Sequence, residues 1–137
     1  MKKKDIVTCI LLSIITLGIY TIFWTVDLMF QTDKCFKERK TSVLLKIVYT
    51  IITGGLYAIY WVYRIGKEMA AKSKYIVDKA SIYAVLIFFA IASEFNFVIH
   101  VHNTSYIYIG IGFIYELIVM CLIQNDLNLL IDKKAIK

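Results

Sequence analysis

The sequence predicts an all-α integral membrane protein, and three observations carry that reading. Of the 137 residues, 60% are hydrophobic, and the mean hydropathy is +0.71. A soluble domain is closer to half apolar. Four long apolar runs alternate with short polar stretches, and the first two runs copy each other. Proline is absent, so only the six glycines punctuate the helices. A chain of this length forms one ordinary domain, but its apolar content exceeds what one small core can hide. The expected organisation is a single membrane domain over 1–137. It divides into a first repeat at about 6–40, a second at 43–79, a transmembrane hairpin at 80–125 and a basic tail at 126–137.

The first run, Ile6 to Val26, has 21 residues and no charge, enough to cross a bilayer as one helix. No small-x-small cleavage site follows it, so it reads as an uncleaved membrane segment and not a signal peptide. A polar connector, Asp27 to Thr41, leads to the second run, Val43 to Tyr63, whose one charge is Lys46. The copied stretches are Ile14–Trp24 and Ile51–Trp61, 37 residues apart and identical at seven of eleven positions. Next comes Arg64 to Lys79, where Ile65 and Met69 stand four apart among charges. That spacing predicts a helix lying on the membrane surface. The third run is uncharged from Ala80 to Ser93, meets Glu94 and continues weakly to Ile99. The loop His100 to Ser105 is polar but lacks Lys and Arg. The fourth run, Tyr106 to Gln124, is apolar except for Glu116.

The net charge of +6 sits in clusters beside these runs: Lys2 to Lys4, Lys34 to Lys46, Arg64 to Lys79, and Lys133, Lys134 and Lys137. Between apolar runs such clusters read as cytoplasmic flanks touching anionic lipid head groups, not as nucleic-acid contacts. Four plain crossings would put the basic connector at 27–46 outside, against the positive-inside rule. If each copied stretch instead dips in and returns as a re-entrant helical hairpin, every basic cluster stays cytoplasmic. Gly18, Gly54 and Gly55 are then the hinges, because a chain reversal needs permissive backbone angles. The segment from Ile6 to Leu17 would be roughly 18 Å long as a helix, too short for a ~30 Å core. Only the third and fourth runs cross in this arrangement. Four plain crossings remain the alternative, since Gly is common in straight transmembrane helices. Tyr20, Trp24, Tyr57 and Trp61 read as interfacial anchors. Asp27 and Arg64 follow the two tryptophans and form a candidate pair between the repeats.

Ser13-Ile14-Ile15-Thr16-Leu17-Gly18-Ile19-Tyr20-Thr21-Ile22-Phe23-Trp24 resembles the signature of a bacterial membrane family known only as a domain of unknown function. Its members carry a Ser-x-x-Thr-x-Gly-Ile-Tyr-x-x-Tyr-Trp element, often twice. The second copy fits with Thr50 for the Ser and Leu56 for the Ile. Gln124-Asn125-Asp126-Leu127-Asn128 is similar, more loosely, to the way such proteins end their last helix. The resemblance implies a bacterial membrane protein and carries over no mechanism; the basic clusters place the chain in the inner membrane, multi-pass, with both termini cytoplasmic.

Glu94 and Glu116 are the most informative single residues, because an ionisable group within an apolar run is costly and usually faces protein or water. They suit either interhelical hydrogen bonding or proton and cation handling, with His100 as a second titrating group. A hairpin turning at 100–105 puts Glu116 level with Phe89, so the two carboxyls are not expected as a close pair. His100 and His102 are too few for a metal site, and Asn103-Thr104-Ser105 reads as an ordinary turn. Cys9, Cys35 and Cys121 are odd in number and lack a CxxC spacing, so neither a disulfide framework nor a zinc site is expected. Cys35, flanked by Lys34 and Lys37, is open to S-palmitoylation, with a plain thiol the favoured reading. No Ser-His-Asp set, phosphate loop or HExxH is present in the sequence. The expectation is a non-enzymatic protein without cofactor or metal. It would act through a membrane-protein partner, a homo-oligomer or anionic lipid. The alternative is a small oligomeric channel or proton-coupled transporter using Glu94 and Glu116.

Overall fold

The computed structural model describes residues 3–36, 42–99 and 105–132. His100, His102, the Asn103–Thr104 turn and several basic residues (Lys2, Lys37, Arg39, Lys40, Lys133, Lys134 and Lys137) lie outside them. Six α-helices make up the described residues: α1 (Ile6–Ile15), α2 (Ile19–Phe36), α3 (Val43–Ile52), α4 (Leu56–Lys72), α5 (Ala80–Ile99) and α6 (Ser105–Asp132). Each apolar copy is therefore two helices, broken at its glycines.

The break reverses the chain. Lys4 Nζ lies 2.7 Å from Asp27 Oδ2, whereas a continuous helix would hold residues so spaced about 35 Å apart. In the second copy the rings of Tyr49 and Tyr57 meet at 5.5 Å across the same kind of turn.

The repeated residues explain the turn. At the end of α1, Gly18 N–H donates to Ser13 C=O (2.8 Å) and Leu17 N–H to Ile14 C=O (3.1 Å). After α3, Gly55 N–H donates to Thr50 C=O (2.8 Å) and Gly54 N–H to Ile51 C=O (3.2 Å). These are the paired bonds of a Schellman ending, which needs a left-handed residue just past the C-cap. Leu17 (φ 49) and Gly54 (φ 58) fill that position, and Gly18 (φ 90) and Gly55 (φ 92) follow. The threonine serves both helices. Thr16 hydroxyl donates to Leu12 C=O (2.7 Å) and accepts from Tyr20 N–H (2.9 Å). Thr53 does the same with Tyr49 C=O (2.7 Å) and Tyr57 N–H (3.0 Å). Thr-x-Gly thus closes one helix and caps the next without relying on water, as an apolar medium requires.

Leu17 occupies the left-handed angle that Gly54 takes at no steric cost. Its side chain, 93% exposed, has no packing to lose. Leu17→Gly is expected to stabilise the protein by about 1 kcal/mol, read as a raised midpoint of thermal unfolding in detergent.

The α5–α6 hairpin is the spine against which both copies pack. Gly66 of α4 lets that helix close on α5, since a Cβ there would lie 2.6 Å from Ala80 Cα. At one end, here called basal, Lys3 pairs with Asp132, Lys4 with Asp27, Lys46 with Asp33, Lys67 with Asp78 and Lys79 with Asp126. The hairpin tips stand toward the other end, Gly18 against Phe113 of α6 and Gly55 against Ile91 of α5. Counted along α5 from Ala80, and along α6 from Asp126, the tips rise about 17–20 Å.

Two expectations about elements change. Arg64 to Lys79 does not form a separate surface helix: α4 runs unbroken to Lys72, and Ile65 and Met69 are buried in the core. Their four-residue spacing marks the face of α4 that meets the other helices. The tail does not begin at 126 either. α6 continues to Asp132, with Leu127 and Leu130 buried, because its inward stripe persists beyond the apolar run.

Candidate functional site

Two polar clusters break the apolar pattern: a buried one at the base, and one near the level of the hairpin tips, where Glu94 is exposed and Glu116 half-buried. The basal cluster grows from Gln124, Asp126 and Asn128 on the last turns of α6. Trp24 Nε1–H donates to Gln124 Oε1 at 3.0 Å, both side chains being buried. Gln124 Nε2 donates to Asn128 Oδ1 (3.2 Å), and Asn128 Nδ2 donates to Lys4 C=O (2.8 Å). This chain of bonds ties α2, α6 and the N-terminal approach to α1 together. Asp126 takes a separate set of partners. Lys79 Nζ reaches its two oxygens at 2.8 and 3.1 Å, and Tyr83 donates its hydroxyl to Oδ2. A carboxylate 2% exposed survives there because a cation and a hydroxyl replace the lost water.

The tip-level cluster holds Glu94 and Glu116. Among the described residues neither carboxylate has a basic partner or a hydrogen bond within reach. Phe89 stacks on Tyr115 at 5.8 Å, which sets Glu116 near the expected level. The two acids are nevertheless neighbours. Glu94 Cγ would lie 3.5 Å from a Cβ on Gly112, and Glu116 is the next turn along the same side of α6. Side chains lean toward the N-terminus of their helix, so on antiparallel neighbours these two lean toward each other. Gly112, facing Ala90 C=O and Ser93, brings the helices close enough for this. The expectation of separated carboxyls counted levels along the axes and left out the lean.

The structure moves other expected residues. Trp24 and Trp61 are not exposed anchors; they are 1% and 5% exposed. The indole that was to face head groups finds its polar partner inside, at Gln124. Tyr20 and Tyr57 are half-buried, and Tyr20 hydroxyl lies 3.7 Å from Cys9 Sγ. Asp27 pairs with Lys4, and Arg64 with Glu68 at 3.0 Å, each on its own copy. Among the described residues, the salt bridge that joins the copies is Lys46–Asp33, from α3 to α2. Cys35 is buried, with Lys72 Nζ donating to its backbone carbonyl at 3.0 Å. Burial pushes its thiol up, only partly opposed by Lys72, which disfavours acylation.

A family model for a domain of unknown function (DUF4234) matches residues 4–71. The DUF4234 segment spans both hairpins, ending within α4, so the α5–α6 spine and both acidic positions lie beyond it. No curated protein and no solved structure matches the chain. Among the described residues one helix, α6 from Tyr106 to Asp132, is long and apolar enough to cross a membrane, and no cluster of His, Cys, Asp and Glu could hold a metal ion.

Proposed function

We propose that this protein is a multi-pass inner-membrane protein in which α5 and α6 cross the bilayer. The two DUF4234 hairpins enter from the cytoplasmic side and return to it. The observation that carries this reading is the separation of charge from exposed apolar surface. Basic side chains gather toward the basal end, while Ile15, Leu17, Ile51 and Ile52 at the tips are 74–93% exposed. In water such a surface would drive aggregation; in lipid it is ordinary, and the self-capped turns leave little backbone polarity unpaired. Only 22% of the apolar window in α6 is buried, which suits a lipid-facing helix better than the core helix of a soluble domain.

In this reading the protein performs no chemistry of its own. It is an accessory or regulatory protein whose basal face meets anionic head groups and a membrane-protein partner or a second copy. The polar latch on α6 fixes that face. Cysteine accessibility tests the placement. In a background with Cys9, Cys35 and Cys121 replaced by Ala, Lys34→Cys and Lys74→Cys should be shielded from an impermeant maleimide in intact cells. Tyr106→Cys should label. Labelling of Lys34→Cys from outside would mean that the first copy crosses.

A further inference from the structure

The groove under the tip of the second hairpin, together with the two acids, has the features of a ligand site. Ile51, Gly54 and Gly55 form one wall, and Ile91, Phe95 and Glu94 of α5 form the other, around a volume of about 350 Å³. A second hollow of about 410 Å³ continues it along α5, past Phe88 and Ile59. The walls are apolar and aromatic, yet the exposed Glu94 borders the space with no counter-charge among the described residues.

On the far side of Glu116 a buried hydroxyl waits. Gly18 faces Phe113, and Thr25 hydroxyl lies 3.6 Å from Met120 Sδ, so α2 and α6 run in parallel register with a constant offset. That register puts Thr21 level with Glu116. Thr21 is 1% exposed and its hydroxyl oxygen has no hydrogen-bond partner. Thr21 lies outside the lining of the groove, and an uncompensated hydroxyl of this kind is a cost to the fold.

We propose that this groove binds a lipophilic monovalent organic cation, an aryl or alkyl ammonium or phosphonium. Its charge would sit at Glu94, supported by Glu116, and its body against Ile91 and Phe95. An acyl chain would fill the volume but leave the carboxylate unpaired. A metal ion would lack ligands, whereas an onium ion needs only a negative charge and aromatic faces. Such a cation answers the apolar walls and the unpaired acid together.

The test uses the full-length protein in detergent micelles and equilibrium dialysis with labelled tetraphenylphosphonium. Tetraphenylborate serves as the size-matched anion. Saturable binding of the cation is expected, with at least tenfold weaker binding for Glu94→Gln and no comparable binding of the anion. Ile91→Trp, which fills the groove and keeps the acid, should also lose the cation. Full binding by a folded Glu94→Gln or Ile91→Trp protein, or equal uptake of the anion, would overturn the assignment. Dialysis reads the groove alone, so its failure is separate from a failure of the labelling pattern that tests topology.

Discussion

Asp126→Ala should unfold this protein more readily than any other single removal of a charge. The carboxylate is 2% exposed and is held by Lys79 and by the hydroxyl of the fully buried Tyr83. Deleting it strands an ammonium and a hydroxyl where α5 begins, and breaking a buried pair from one side costs about 3–5 kcal/mol. Lys79, itself 29% exposed, can reach partway to solvent, which sets the expectation at the lower end, about 3 kcal/mol. The double variant Lys79→Met with Asp126→Leu removes both charges and should recover most of the loss. Thermal unfolding followed by circular dichroism in one detergent reads all three proteins. A single variant as stable as the parent would show that the latch holds nothing.

Trp24→Ala is expected to cost about 3 kcal/mol or more. The indole is buried among the side chains of the core, and truncating it opens a cavity and leaves Gln124 Oε1 without its donor. Trp24→Phe separates the two contributions. It keeps most of the volume and loses only the hydrogen bond, so about 1 kcal/mol should remain. If Phe and Ala destabilise alike, the bond and not the packing fixes α2 against α6.

Much of the architecture was legible in the residues. The copied Thr-x-Gly, the placement of Lys and Arg and the unsuitability of a charged connector outside all pointed to a chain that turns back at its glycines, and the helices do break there. The role of Thr16 and Thr53 was less visible, because one hydroxyl serving two helices shows only once both ends are placed. Trp24 and Trp61 misled, since an aromatic beside a charged stretch reads as a surface anchor, whereas both pack inside and Trp24 meets the buried amide of Gln124. Gln124, Asp126 and Asn128 gave a faint signal. Gln124 and Asn128, four apart, share a face that meets Trp24 of α2, while Asp126 between them turns to Lys79 and Tyr83; read as a sequence, the polar run looked like a helix exit. The nearness of Glu94 and Glu116 depended on Gly112 and on side-chain lean, neither of which a count of levels includes.

The height of the two hairpin tips has a mechanical consequence. They stop about 20 Å above the basal salt bridges, so six helices cut a plane near the base and two cut a plane near the opposite end. In the proposed bilayer, the protein displaces far more lipid from the cytoplasmic leaflet than from the outer one. A body tapered in this way crowds one monolayer and settles most easily where that monolayer is stretched. Its position in the cell would then follow membrane shape.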